Sequence, residues 1–238
     1  MRKVITVDGP SGVGKGTLCQ NLARELGWAY LDSGALYRLL ALRALAAGKA
    51  DAAAAEIAAL TTDLQIDFRL DADGCTVLLN GEPVGNELRS ERCGNAASKI
   101  AAYPEVREAL LDFQRGFAGD APLIADGRDM GTVVFPDAPL KLFLTASAEI
   151  RAERRYKQLL AQGESVNLRA IYAEIAERDA RDRSRSVAPL IPASDAVVID
   201  TGNLSISDVQ QRVSAEIAAR FSFSLTLLST RELYGIIC

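Results

Sequence analysis

Apolar residues along the chain alternate between short runs of strand length and longer stripes at helical spacing. Val4 to Asp8 is a β-branched run too short for a helix. A glycine-rich stretch follows it, and then Leu18, Leu22, Ala23 and Leu26 recur at helical spacing up to Gly27. The reading is strand, glycine loop, helix. Tyr30-Leu31 is a brief apolar pair, and a second helical pattern opens at Gly34, runs through Leu36, Leu39, Leu40 and Ala44, and ends at Gly48. Asp51 stands where it could cap a third short helix carrying Ala54, Ile57, Ala58 and Leu60. From Leu64 the period changes to two: Leu64, Ile66, Phe68 and Leu70 alternate with polar residues. Asp73-Gly74 and Asn80-Gly81 then mark turns on either side of an apolar segment from Thr76 to Leu79, which predicts a small antiparallel meander.

Beyond the meander, helices are predicted over Glu87–Ala101, Pro104–Phe117, Ala148–Leu160 and Leu168–Arg183. Buried strands are predicted at Leu123–Ala125 and Leu140–Leu144, with a last core strand at Val197–Ile199. Ser205 and Asp208 form a capping signal for a closing helix that runs to about Arg220. Parallel strands alternating with helices give a doubly wound α/β core, with the meander as an insertion. The segment Phe221–Cys238 is apolar but is broken by Ser222, Ser224, Thr226, Arg231 and Glu232, too polar to span a bilayer.

Composition narrows the chemistry. The 238 residues include no histidine, which excludes Ser-His-Asp and Cys-His catalysis, histidine metal sites and imidazole bases. Cys19, Cys75, Cys93 and Cys238 lie far apart with no C-x-x-C pair, and Met1-Arg2-Lys3 leads straight into the first strand. We therefore expect reduced thiols in a cytoplasmic protein. A net charge of -4 argues against a general nucleic-acid surface. Of 27 basic residues 21 are Arg, the planar fork that grips phosphate, although a GC-rich genome would give the same bias.

The glycine loop is specific. Gly9-Pro10-Ser11-Gly12-Val13-Gly14-Lys15-Gly16-Thr17 follows the first strand and opens the first helix. Glycines there let successive N–H groups face phosphate oxygens, the helix N-terminus adds its dipole, and Lys15 supplies a point charge for the β and γ phosphates. The Thr17 hydroxyl suits Mg²⁺. Gly16 stands where the common P-loop pattern has Ser or Thr, and this G-K-G-T variant is the form used by nucleoside monophosphate kinases. No Asn-Lys-x-Asp guanine-reading segment is present.

Three further segments carry a resemblance: Tyr30-Leu31-Asp32-Ser33-Gly34-Ala35-Leu36-Tyr37-Arg38, the run from Ala125-Asp126-Gly127-Arg128-Asp129-Met130 to Pro136, and Glu177-Arg178-Asp179-x-Arg181-Asp182-Arg183. With the glycine loop, they make the chain, from about Arg2 to Arg220, similar to the bacterial cytidylate kinases. The resemblance implies a P-loop NTPase fold: a parallel sheet flanked by helices, with an inserted antiparallel β plus helix subdomain for the monophosphate and a short lid. It implies a core of residues 1–32, 103–147 and 187–220, an acceptor subdomain 33–102 with its meander at about 63–90, and a lid with the charged helix at 148–186. Residues 221–238 form a tail unlike the family's usual end.

The implied reaction is transfer of the γ-phosphoryl of Mg-ATP to CMP or dCMP. Its acceptor is a phosphate dianion at neutral pH, so the missing histidine is no obstacle. By resemblance Arg38 and Arg128 bind the acceptor phosphate beside Ser33, Tyr37 and Gly127. Asp129, Ser98 and Arg107 read the cytosine, and Asp126 organises the Mg²⁺ water shell. Arg178 and Arg185 join acceptor binding, Asp182 takes the sugar hydroxyl, and one or two of the lid residues Arg151, Arg154 and Arg155 neutralise the transferring group. Lys15, Arg128, Arg178 and Arg154 are thus the expected catalytic cations.

One stripe supports this from geometry: Leu168, Ile171, Ile175, Arg178, Asp182 and Arg185 step by three or four and pass from apolar to charged, so Arg178, Arg181 and Arg185 could converge with Asp182. A solvated, salt-bridged helix would show the same spacing. The substrates expected are ATP and CMP or dCMP, with no nucleic-acid or membrane partner, in a monomer. A kinase for another small acceptor such as shikimate, or a nucleotide-binding regulator, are the alternatives.

Overall fold

The computed structural model describes residues 3–62, 64–71 and 74–221. Five parallel strands form the central sheet in the order β2-β6-β1-β7-β8, with β1 Val4–Asp8, β2 Ala29–Asp32, β6 Leu123–Asp126, β7 Leu140–Thr145 and β8 Val197–Asp200. Every residue of β1 and β6 is buried. Both faces of these strands are covered, which is why they read as continuous apolar runs rather than alternating ones. The period of two survives in the packing. Val4, Leu123 and Ala125 face one core with helices α2 (Ser33–Ala46) and α5 (Pro104–Gly116), while Ile5, Val7 and Ile124 face the other with α1 (Lys15–Leu26) and α8 (Ile206–Phe221).

A second, antiparallel sheet of β3 (Ile66–Asp71), β4 (Gly74–Leu79) and β5 (Glu82–Pro83) is the predicted meander. Phe68 of β3 meets Tyr30 and Phe117 edge to face or tilted, which ties this sheet to the core. Asn80 and Gly81 both have positive φ, as the tight turn between β4 and β5 requires. Asp73 of the other predicted turn, and the tail beyond Phe221, lie outside the described residues. Helices α3 (Ala54–Ala58), α4 (Glu91–Ile100), α6 (Ala148–Ala161) and α7 (Leu168–Arg183) complete the fold, with α4 packed on both α2 and α7. Among the described residues, no helix is long and apolar enough to cross a membrane.

Three local expectations are corrected, and one element is new. Asp51 does not cap α3: Ala53 is the N-cap and supplies no side-chain bond. The helix expected from Glu87 begins at Glu91, because Ser90 is extended (ψ 152°) and its Oγ accepts the Cys93 N–H at 3.2 Å, leaving Asn86–Arg89 as a separate 3-10 turn. β8 is an edge strand rather than a core strand, with Val198 56% exposed and Ile199 its buried residue. Met130–Val134, which carried no helical signal, forms a π-helical turn directly after β6 and its following loop. The Ser205/Asp208 capping box is as expected: each backbone N–H donates to the other residue's side chain, at 3.0 and 3.1 Å.

The parallel register aligns the carboxyl ends of the strands. Asp32 lies opposite Asp126, and Val7 lies opposite Asp126 on the other side, so Asp8, Asp32 and Asp126 leave one sheet edge together. The glycine loop starts from that edge under tight constraint. Gly9 has φ +144°, and a Cβ there would sit 2.1 Å from the Leu144 carbonyl oxygen. Gly14, the N-cap of α1, has φ +92° and open space around it. Gly9→Ala is therefore expected to cost about 3 kcal/mol and Gly14→Ala about 1 kcal/mol, from backbone strain with and without a steric clash. Thermal melts of the two variants check this; equal losses would contradict it.

Candidate functional site

At the strand edge the chain closes around one polar cavity. Its lining contains all twelve acceptor residues expected from the sequence: Ser33, Tyr37 and Arg38 from α2, Ser98 from α4, Arg107 from α5, Asp126, Gly127, Arg128 and Asp129 from the end of β6 and its loop, and Arg178, Asp182 and Arg185 from α7 and just beyond. Ser11 and Lys15 of the glycine loop line the same space. The elements explain the convergence. Asp32 caps α2 by accepting the Ala35 N–H at 3.0 Å, which starts the helix so that Ser33 and Tyr37, four residues apart, share a face.

Two carboxylates organise the cations. Asp182 accepts from Arg128 Nε at 2.9 Å, from Ser98 Oγ at 3.3 Å and from Arg185 Nη2. Burial pushes its pKa up, but the Arg128 and Arg185 guanidiniums outweigh that and hold it below the ordinary value. Asp129 pairs with Arg107, whose other nitrogen donates to the Ala101 carbonyl at 3.2 Å and whose guanidinium lies 5.7 Å from the centre of the Tyr37 ring. Arg38 donates to the carbonyls of Leu88 and Ser90, at 2.8 and 3.2 Å, across to the inserted segment. Ser33 donates to Gln114 Oε1 at 2.7 Å.

The site carries a surplus of positive charge. Six cationic side chains line it (Lys15, Arg38, Arg107, Arg128, Arg178, Arg185) against the four carboxylates Asp32, Asp126, Asp129 and Asp182. Lys15 is lowered to about 8 by burial and by Arg128, and its ammonium turns back to the Pro10 carbonyl at 2.9 Å. Arg178 is lowered to about 9 by burial and again by Arg128, and among the described residues its Nε is buried with no acceptor. Asp126 is raised to about 7 by burial, against the pull of Lys15. Both cations lowered in this way would be stabilised by an arriving anion.

Four of the expected arginines lie away from this cavity. Arg154 is not at the acceptor cavity: it donates to the Thr201 carbonyl at 2.6 Å, to Thr201 Oγ1 at 3.2 Å and to the Gly202 carbonyl at 3.3 Å. It lines a separate cavity with Gly12, Val13, Gly14, Thr17, Ile206 and Val209, on the far side of the glycine loop. Three residues apart on α6, Arg151 and Arg154 share a helix face, and their partners, Asp179 for the one and the loop after β8 for the other, set them apart. Arg151 is 1% exposed and already neutralised: it pairs with Asp179 and donates to the carbonyls of Ala146 at 3.0 Å and Ser11 at 3.2 Å. Arg181 does not line the acceptor cavity; it pairs with Glu177 and reaches Ser98 Oγ only at 3.5 Å. Arg155 meets Glu91 at 2.6 Å and lines a further cavity with Ser11, Arg38 and Arg178, next to the first.

Sequence reasoning missed Asp8, Asp32 and Gln114. Asp8 ends a buried strand just as Asp126 does, and that signal was there to be used. Gln114 sits mid-helix with nothing in its spacing to mark it.

A family model described as Cytidylate kinase matches residues 5–219. The chain is 60% identical over 221 residues to a Cytidylate kinase of Dichelobacter nodosus, covering 93% of this chain and 99% of that one. It is 57% identical over 215 residues to a Cytidylate kinase of Aeromonas hydrophila, covering 90% and 94%. A solved structure of an uncharacterized protein from Eubacterium ventriosum shares the fold at TM-score 0.51 and 11% identity, covering 92% of this chain and all of that one.

The contrast between Arg151 and Arg178 is testable. Arg151→Met would strand the Asp179 charge in the interior and is expected to cost about 3–5 kcal/mol of stability. Arg178→Met removes a cation with no ion pair among the described residues, and is expected to leave stability within about 1 kcal/mol while turnover falls. Denaturant unfolding separates them; a large loss at Arg178 would contradict the charge assignment.

Proposed function

The chain belongs to the cytidylate kinase family, and from that premise we propose that it transfers the γ-phosphoryl group of ATP to CMP or dCMP, giving ADP and CDP or dCDP. The observation that carries the proposal is the acceptor cavity: its six cations against four carboxylates leave two surplus positive charges, which match the roughly two negative charges of a nucleoside monophosphate's phosphate at neutral pH. Such an acceptor is already a dianion, so an oxygen of its phosphate attacks the γ-phosphorus without a general base. The bond from that phosphorus to the β–γ bridging oxygen breaks, and ADP leaves with the electron pair. Catalysis then rests on alignment and charge, which fits a chain without histidine.

Arg38, Arg128, Arg178 and Arg185 hold the acceptor phosphate, with Ser33, Tyr37 and Gly127 completing its pocket. Asp129, Arg107 and Ser98 face the cytosine edge, and Asp182 takes a sugar hydroxyl while it keeps Arg128 and Arg185 in place. The loop Gly9–Thr17 holds the donor phosphates, with Lys15 between donor and acceptor. Arg154 belongs to the donor side, because the cavity it lines runs past Gly12–Gly14 to the apolar Ile206 and Val209. Arg155 is the lid cation within reach of the transferring group, since its cavity adjoins the acceptor's at Ser11, Arg38 and Arg178.

The oxygen donors fit a hard divalent cation: Thr17 is exposed on the first turn of α1, and Asp126 Oδ2 lies 3.7 Å from where a Gly16 Cβ would be. Mg²⁺ held there would neutralise donor phosphate oxygens. We assign residues 33–102 to acceptor binding and 148–186 to the lid and the charged helix. We also expect a cytoplasmic monomer that needs no macromolecular partner; Cys19, Cys75 and Cys93 are free thiols, in keeping with a reducing compartment.

An ADP-release assay with a panel of acceptors tests the reading. CMP and dCMP are expected to outpace UMP, AMP and shikimate by at least about tenfold, as a site built to hydrogen-bond one base should. A faster rate with any of the other three would overturn it. Lys15→Ala should lower turnover by about a thousandfold with the fold intact, since it removes a preorganised charge at the transferring group.

A further inference from the structure

Asp8 takes no part in the mechanism above, yet it is a buried carboxylate, 5% exposed, that forms no salt bridge among the described residues. Its Oδ1 accepts the Met130 N–H and its Oδ2 the Gly131 N–H, each at 2.8 Å. Burial raises its pKa to about 7 even though both amide bonds pull it down. Packing alone gives no reason to keep a desolvated carboxylate here, because an apolar side chain would fill the space without that cost.

The two amides it holds follow Asp129 directly. One strand-turn earlier, Gly127 N–H donates to the Val7 carbonyl at 3.0 Å. The segment carrying Arg128 and Asp129 is therefore fastened to β1 on both sides, at Gly127 and at Met130–Gly131. It also rests on β1 without slack: a Cβ on Gly131 would lie 2.9 Å from Thr6 Oγ1. In the other direction Asp8 is followed by Gly9, whose backbone is pressed against the Leu144 carbonyl. One side chain thus joins the first residue of the donor loop to the loop that reads the acceptor.

We propose that Asp8 is a positioning residue that sets Arg128 and Asp129 at a fixed distance from the phosphate loop. This rests on the acceptor roles given to those two residues above. Asp8→Asn keeps the shape but leaves one of the two amides facing an NH₂ group. KM for CMP is expected to rise about tenfold, the effect of one unmet buried donor, while KM for ATP changes less than about twofold. The preference for CMP over UMP should fall with it, a change that general loosening would not produce.

Asp8→Glu, which keeps the charge but advances the carboxylate by one methylene, should shift the same parameters in the same direction. An equal rise in both KM values, or an unchanged CMP to UMP ratio, overturns the proposal. So does loss of the folded state in both variants by circular dichroism, which would make Asp8 a structural residue only. Calorimetric titration of the unaltered chain with CMP keeps the two readings apart. No binding removes the acceptor assignment itself, whereas equal CMP affinity in the unaltered chain and Asp8→Asn removes only the role given to Asp8.

Discussion

The parallel pairing of β1 with β6, with Val7 opposite Asp126, brings two distant stretches of chain to one sheet edge, and the rest of the site is built outward from that contact. One stretch continues into the glycine loop, the other into Gly127, Arg128 and Asp129. Both strands are buried on both faces, so a one-residue slip would carry each side chain from the core it fits into the other, where the packing does not match it. A phosphate-binding loop and an acceptor loop fixed to such strands hold their separation by the packing of the whole core. That is the kind of precision a reaction needs when it depends on alignment instead of proton transfer.

Charge is arranged on top of this scaffold. A chain of net charge -4 places six cations around one cavity and keeps them from repelling one another apart by spending carboxylates selectively. Asp182 takes Arg128 and Arg185, and Asp129 takes Arg107. Arg178 is left with no ion pair among the described residues, and Lys15 has only a loop carbonyl within hydrogen-bonding distance. Where two cations are held near each other in a partly desolvated space, each lowers the other's affinity for its proton, and an anion of two charges relieves both at once. The buried pair of Arg151 and Asp179 works in the opposite sense. Its charges are fully matched, so it can tie the base of α6 and α7 to the Ser11 carbonyl without competing for phosphate.

Much of this was legible in the sequence where local signals and core periodicity agree. The strand before Gly9, the helix after Lys15, the meander and the stripe on α7 all follow from apolar spacing, and α7 spans the expected Leu168–Arg183. The acceptor residues were legible in a different way: by resemblance, since Ser98 and Arg107 have no distinguishing spacing of their own. What escaped depends on partners remote in sequence. The break at Ser90 is a side-chain cap overriding helical propensity. The π-helical turn at Met130 follows Asp8, a residue on another strand. Arg151 and Arg154 look alike in sequence, three residues apart on one helix, and only the packing against Asp179 and Thr201 decides that one is neutralised and the other faces the donor loop.

The bridge between Arg155 on α6 and Glu91 at the start of α4 brings the charge argument to the mouth of the site. It crosses from α6 to α4, and it is partly exposed, so its own contribution to stability is small. Its Nε has no acceptor, and the cavity it borders also meets Arg38, Arg89 and Arg178. An anion entering there finds more positive charge than Glu91 can satisfy. The bridge thus joins α6 to α4 at the rim of that cavity while leaving its positive charge in excess.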